Sequence, residues 1–292
     1  MELVFENLTK KYGDKCALTD FSAVLHEGIY GILGPNGSGK STLMNCITDN
    51  VKRTSGEILF DGEEILKLGR KFRGYIGYMP QQQGFYENFT AMRFLYYLAG
   101  LKGLKKKEAK KQIKELLDIV GLSADADRRL GGYSGGMRQR VLLASALIGN
   151  PKIVIMDEPT AGLDPEERIR TRNLISKIAQ DKIIILATHV VSDIECIANQ
   201  VLMMSGGKLI RQDTPYALMN SVKDKVYEKI CTMGEAEEYQ KMYRIGNIYQ
   251  RHEGLVLRIV NDTQPEGFER VKENIGLEDV YLYYLKKREV QK

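Results

Sequence analysis

The run Gly34-Pro35-Asn36-Gly37-Ser38-Gly39-Lys40-Ser41 fits the spacing G-x-x-x-x-G-K-[ST] in full. That spacing builds an anion cradle. Its glycines permit backbone conformations that turn successive N–H groups inward, toward phosphate oxygens. Lys40 then reaches the β- and γ-phosphates, and the Ser41 hydroxyl faces Mg²⁺. An apolar run at residues 29–33 precedes the loop, and Leu43, Met44 and Ile47 mark a helix after it. The positive N-terminal end of that helix adds to the cradle. No G-x-G-x-x-G occurs here, so a dinucleotide fingerprint does not compete. A Gly-rich turn matching by chance is the ordinary alternative, and the strand–loop–helix context weighs against it.

Other residues with chemical potential lie downstream. The apolar run 152–156 ends in Asp157-Glu158. In open α/β sheets ligands sit beyond the carboxyl ends of strands. Two acids there suggest a Mg²⁺ ligand and a base; the alternative is a solvated strand end. Gly131-Gly132-Tyr133-Ser134-Gly135-Gly136-Met137 precedes a helical run, 138–148. Ser134 reads as its N-cap, or the segment as a second anion site. Asp164-Pro165-Glu166-Glu167 is a helix start, with an Asp cap and Pro at the first position. A third buried-type strand, 182–187, ends in Thr188-His189, and a short strand at 75–78 runs into the polar Gln81-Gln82-Gln83. His26 and His252 have no such context and read as surface or packing residues.

The elements that must position these groups follow from patterning. Residues 1–27 read as antiparallel strands, with Leu3 and Phe5, then Phe21, Ala23 and Leu25, alternating with polar neighbours. Residues 10–14 read as the turn between them, with Tyr12 an aromatic beside it. Residues 56–62 form a strand ending in an Asp-Gly turn. From 90 to 120 the chain reads as helical, with Ala109, Ile113, Leu116, Leu117 and Val120 on one face. Lys105, Lys106, Lys107, Lys110, Lys111 and Lys114 crowd the rest, which is the pattern of a solvated face; a lipid-headgroup or nucleic-acid patch is the alternative. Near residue 212 the character changes: 213–292 is Tyr-rich, with strands at 226–231 and 255–260 and helices at 235–242, 266–274 and 277–285.

Composition narrows the classes. The chain of 292 residues, 43% hydrophobic and 28% charged, accommodates one large domain and a smaller one. The net charge of +5 is mild; it gives weak support for a nucleic-acid or anionic-membrane partner and excludes neither. The four cysteines, Cys16, Cys46, Cys196 and Cys231, lie far apart and read as reduced thiols. The N-terminal stretch lacks the apolar core of a signal peptide, and no apolar run approaches the ~20 residues of a membrane-spanning helix. A membrane role therefore requires a partner chain.

Taken together, GPNGSGKST, PQQQ, YSGGM, IVIMDEPT with AGLD, and ATH stand in one order. In that order, residues 2–212 are similar to the ATP-binding subunit of ABC transporters. The SGG motif upstream of DEPT belongs to that family rather than to phosphate-loop proteins at large. The resemblance implies an α/β phosphate-loop NTPase core with a mostly parallel sheet, an N-terminal antiparallel β part and a helical subdomain at about 85–150. Residues 213–292 follow as a small α+β extension.

The resemblance also implies roles. Tyr12 stacks on adenine. Gly34, Pro35, Asn36, Gly37, Ser38, Gly39, Lys40, Ser41 and Thr42 form the Walker A loop. Gln81 senses Mg²⁺ and the γ-phosphate, Asp157 holds Mg²⁺, Glu158 polarises the attacking water, and His189 is the switch histidine. Ser134, Gly135 and Gly136 bind the ATP held by an opposite subunit, and Asp164 communicates across that dimer. Tyr133 and Met137 replace the Leu and Gln that usually bound the signature, which leans toward a bacterial exporter subgroup with a separate permease. Residues 277–282 also resemble that subgroup's C-terminal helix. The expected function is ATP hydrolysis, with Mg²⁺, by a homodimer or a dimer with a similar subunit. It drives an integral-membrane permease from the cytoplasmic face of the membrane, with residues 84–87 helping to receive the permease. A non-transport relative acting on DNA or ribosomes is the alternative, but the insertion between Gln81 and Ser134 is short and lacks heptads. A nucleotide switch without turnover is disfavoured by the presence of Glu158 and His189. No nucleic-acid partner is expected.

Overall fold

The computed structural model describes residues 1–81, 84, 86–243 and 245–285. The chain opens with an antiparallel hairpin, β1 (Glu2–Tyr12) and β2 (Lys15–His26). The turn is shorter than the sequence suggests: residues 10–12 still pair in β1, so Tyr12 sits at the strand's end. β3 (Gly28–Leu33) leads through the glycine-rich loop into α1 (Lys40–Ile47). Next come β4 (Ser55–Phe60), β5 (Glu63–Glu64), α2 (Ile65–Leu68), α3 (Arg70–Tyr75) and β6 (Ile76–Met79).

The expected helix over 90–120 is two helices, α4 (Ala91–Leu101) and α5 (Lys106–Ile119). The break follows from Gly103, whose φ of 77° belongs to the left-handed region that closes a helix rather than extends it. α6 (Gly135–Leu147), β7 (Ile153–Asp157), α7 (Pro165–Ile178), β8 (Ile183–Ala187), α8 (Val191–Ile197), β9 (Gln200–Ser205) and β10 (Lys208–Asp213) follow. The remainder is α9 (Pro215–Asn220), β11 (Val226–Cys231), α10 (Met233–Met242), β12 (Ile245–Arg251), β13 (Gly254–Val260), β14 (Glu269–Arg270) and α11 (Leu277–Leu285). The helix expected over 266–274 is absent. Glu269 and Arg270 pair instead with β11, and Phe268 turns into the core beside Tyr239. Strand β12 was not anticipated.

Among the described residues the strands form three sheets. The central one has the order β10-β9-β3-β8-β7-β6 and is parallel except where β10 returns along β9. A sheet covered on both faces should carry uninterrupted apolar strands, and β7 and β8 do. Ile153, Ile155, Ile183 and Ile185 face one side, where they meet α1 and the antiparallel sheet β2-β1-β4-β5. Val154, Met156, Ile184 and Leu186 face the other, where they meet α4, α5 and α6. The third sheet, β12-β13-β11-β14, lies beyond β10. It does not stand apart: Leu33, Ile194, Val201 and Met203 of the central unit share an apolar cluster with Leu218, Val222, Leu277 and Val280. No described helix is long and apolar enough to cross a membrane.

Candidate functional site

Gly34 follows β3 where no side chain fits: a Cβ there would lie 2.4 Å from the Met204 carbonyl. Gly39 is the N-cap of α1 with φ 105°, and no side chain caps that helix. The first-turn N–H groups are thus left for a ligand. Lys40 Nζ donates to the carbonyls of Gly34 at 2.6 Å and Pro35 at 3.1 Å, so the ammonium is held inside the loop's own curve. Burial lowers its pKa, while Glu158 and Asp157 pull the other way. Ser38 is buried, and its Oγ has no hydrogen-bond partner. An unpaired hydroxyl, uncapped N–H groups and an ammonium in one curve suit a polyphosphate.

The carboxyl ends of the parallel strands bring the acids to this loop. Asp157 closes β7, and burial pushes its carboxyl above the usual range; Glu158 adds to that and Lys40 opposes it. Glu158 has φ 54°, and every other described non-glycine residue with positive φ is Asn or Asp. Such a conformation costs a residue like Glu roughly 1–3 kcal/mol and is kept where its surroundings hold it. Here they do. The Glu158 N–H donates to Ala187 O at 2.7 Å. Its carboxylate accepts from the Thr188 hydroxyl and the His189 N–H, both at 3.0 Å, and faces His189 Nδ1 at 2.9 Å. The strained backbone turns Glu158 onto the end of β8.

One cavity of about 990 Å³ joins these groups. Tyr12, every residue from Gly34 to Thr42, Gln81, Asp157, Glu158 and His189 line it. Tyr12 is half exposed, with Lys10 Nζ 4.7 Å above its ring. Gln82, Gln83 and Phe85 lie outside the described residues. Lys15, Ala17, Thr188, Val191 and Tyr281 line the cavity as well and were not foreseen. Thr188 had a visible signal, its place beside His189 at a strand end. Tyr281 had none, because only long-range packing brings α11 here.

Ser134, Gly135, Gly136 and Asp164 are not in the cavity lining. Ser134 caps α6, accepting the Met137 N–H at 3.2 Å, and Asp164 caps α7, accepting the Glu167 N–H at 2.9 Å. Both helix starts are exposed, and a Cβ on Gly135 would meet nothing within 4 Å. Gln139, another residue missed in the sequence, ties α6 to the site. Its amide donates to Pro159 O at 2.7 Å, directly after Glu158. Tyr133 is a core residue whose hydroxyl donates to Asp125 O at 2.7 Å.

A phosphate loop at the carboxyl edge of a parallel sheet, faced by two acids, defines a phosphate-loop nucleotide hydrolase. The family model described as ABC transporter matches residues 18–161. The Nod factor export ATP-binding protein I of Burkholderia lata is 33% identical over 219 residues, 74% of this chain and 72% of that protein. The bacitracin transport ATP-binding protein BcrA of Bacillus licheniformis is 32% identical over 265 residues, 89% of this chain and 85% of that protein. The dimeric structure of a post-hydrolysis state of the ATP-binding cassette MJ0796, bound to ADP and Pi, superposes with a TM-score of 0.64 at 28% identity, covering 73% of this chain and 98% of that one. The chain belongs to the ABC transporter family, as an ATP-binding subunit that hydrolyses ATP.

Proposed function

We propose that this subunit drives export through a separate integral-membrane permease, closing as a dimer over two ATP at the cytoplasmic face of the membrane. The observation that carries the reading is the division of the functional residues. Lys40, Ser41, Asp157, Glu158 and His189 share one cavity, whereas Ser134, Gly135, Gly136 and Asp164 stand outside it at helix starts where Ser134, Gly135 and Asp164 are exposed and Gly136 is buried. Each group is then half of a site. The uncapped start of α1 holds ATP from one side, and the start of α6 of a second copy closes on it from the other. The γ-phosphate is the shared ligand, so hydrolysis removes what holds the dimer together.

Within the site, Tyr12 stacks on the adenine and Lys40 shifts from its own loop carbonyls to the β/γ-phosphates. Glu158, oriented by Thr188 and His189, accepts the proton of the attacking water, and His189 reads the γ-phosphate. A bound Mg²⁺, held by Ser41, Gln81 and, through water, Asp157, would neutralise charge on the phosphates. No group of three His, Cys, Asp or Glu converges as a metal cage among the described residues, and an ion shared with substrate phosphates needs none.

The permease would meet the helical subdomain at about 85–150, within an ATP-binding domain of residues 1–212; residues 213–292 form the extension. Tyr86 and Tyr97 are exposed there, Tyr86 stacks on Phe89 at 4.9 Å, and Arg93 covers the Phe89 ring at 4.1 Å. Exposed aromatics with an arginine suit a protein contact. Export is favoured by the likeness to the Nod factor export protein and by Tyr133 and Met137 in the signature. Glu158→Gln tests the core of the reading. Steady-state hydrolysis should fall by about 10²–10⁴, the usual worth of a general base. Size-exclusion chromatography with ATP should then find a stable dimer. Normal turnover, or a monomer in saturating ATP, would contradict it.

A further inference from the structure

One side chain from beyond β10 reaches the cavity that holds Lys40. Tyr281, half-buried on α11, lines it together with Leu33, His189 and Val191. Leu33, Val191 and Tyr281 also belong to the apolar cluster in which β3, α8 and α11 meet. That places Tyr281 at the beginning of the phosphate loop, where Leu33 runs into Gly34. The hairpin residues Tyr12, Lys15 and Ala17 line the cavity beside Gly39: the Ala17 carbonyl lies 2.6 Å from the position of a Cβ on Gly39. Tyr281 therefore enters on the side of His189 and Val191.

Its placement is fixed from several directions. The Leu277 N–H donates to Glu195 of α8 at 2.8 Å, and α8 starts just after His189. Asp279 accepts the Gly276 N–H at 3.0 Å and holds Arg258 at 2.7 Å. The Tyr284 hydroxyl takes a hydrogen bond from Arg211 at 2.6 Å and shares another with Ser221 at 3.1 Å. The helix thus brings a phenol, a donor and acceptor on an apolar ring, to the cavity that His189 lines.

We propose that Tyr281 is a nucleotide-binding residue supplied by the C-terminal unit, and that it contacts the terminal phosphate of a nucleoside triphosphate. The proposal rests on reading the cavity as the ATP site. The consequence is selectivity: a group at that end favours triphosphate over diphosphate, whereas the base-side contacts do not distinguish them.

The test is calorimetric titration of the full chain with β,γ-imido-ATP and with ADP. Tyr281→Phe removes only the hydroxyl, and its affinity for the triphosphate analogue should fall about three- to tenfold, the worth of one hydrogen bond, with ADP affinity within twofold of wild type. Tyr284→Phe loosens α11 without touching the cavity and should alter neither. Lys40→Ala should lose both nucleotides. Wild-type affinities in both Tyr281→Phe and Tyr281→Leu would overturn the role of Tyr281 alone, as would an equal loss in Tyr284→Phe. Wild-type affinity in Lys40→Ala would instead overturn the cavity assignment, and Tyr281 with it.

Discussion

At the scale of single residues, the site is kept at some cost to the ligand-free fold. Asp157 is desolvated at the end of β7, beside Glu158, and Lys40 counters its charge. A carboxyl whose pKa is raised on folding holds its proton more firmly in the native state than in the unfolded chain. Stability therefore falls as pH rises from the ordinary carboxylate value through the raised one, and the penalty is fully present above the raised value. Asp157→Asn removes that charge. Its ligand-free melting temperature at pH 8 should exceed wild type by roughly 2–4 °C, the equivalent of about 1 kcal/mol. The gain should shrink toward pH 5 as the wild-type carboxyl takes up its proton, and ATP hydrolysis should be lost. A thermal-denaturation series at the two pH values checks this; a gain that does not change with pH would show that desolvation is not the cause. Lys40, Ser41 and Asp157 were legible in the sequence because their spacing is local and each sits at an element boundary. The left-handed backbone of Glu158 and the unpaired Ser38 hydroxyl were not, since both depend on how β7, β8 and the loop meet in space.

At the scale of elements, α11 connects the extension to the ATP site through one buried ion cluster. Arg258 of β13 pairs with Asp279 of α11 at 2.7 Å and with Glu228 of β11 at 2.8 Å, and it also donates to Asn274 O at 2.8 Å. Burial alone would lower its pKa, but the two carboxylates hold it above the usual arginine value. Arg258→Ala leaves Asp279, only 4% exposed, without its counter-ion. Removing one partner of such a buried pair costs about 3–5 kcal/mol. Urea denaturation should register that loss, and hydrogen exchange should quicken first in α11. A change below about 1 kcal/mol would mean that the apolar cluster around Leu277 and Val280 suffices to hold the helix. The elements themselves differed in legibility for physical reasons. β7 and β8 are continuous apolar runs, buried on both faces. β12 is an edge strand of mostly half-buried residues and shows no sharp alternation. Over 266–274, Phe268 and Val271 stand three apart and imitate a helical stripe, but they pack into different clusters.

At the scale of the whole molecule, the order of motifs along the chain was enough to place the fold in its family. The role that the resemblance implies for Ser134, Gly135, Gly136 and Asp164 needs a second copy, because within one copy they do not line the cavity. The composite-site reading makes this testable by complementation. Lys40→Ala disables the loop half of a site and leaves Ser134 intact; Ser134→Arg does the reverse, filling the open start of α6 with a bulky cation while leaving the loop able to bind ATP. Neither variant alone forms a complete site, so neither should associate in ATP. A mixed pair has one complete site, built from Lys40 of the Ser134→Arg copy and Ser134 of the Lys40→Ala copy. Fluorescently labelled copies should therefore show ATP-dependent energy transfer only when mixed, with hydrolysis restored to at most about half of wild type, one site of two. Association of either variant by itself would mean that each copy holds its ATP without the other's α6. No association in the mixture would mean that the start of α6 serves only as a capped helix end.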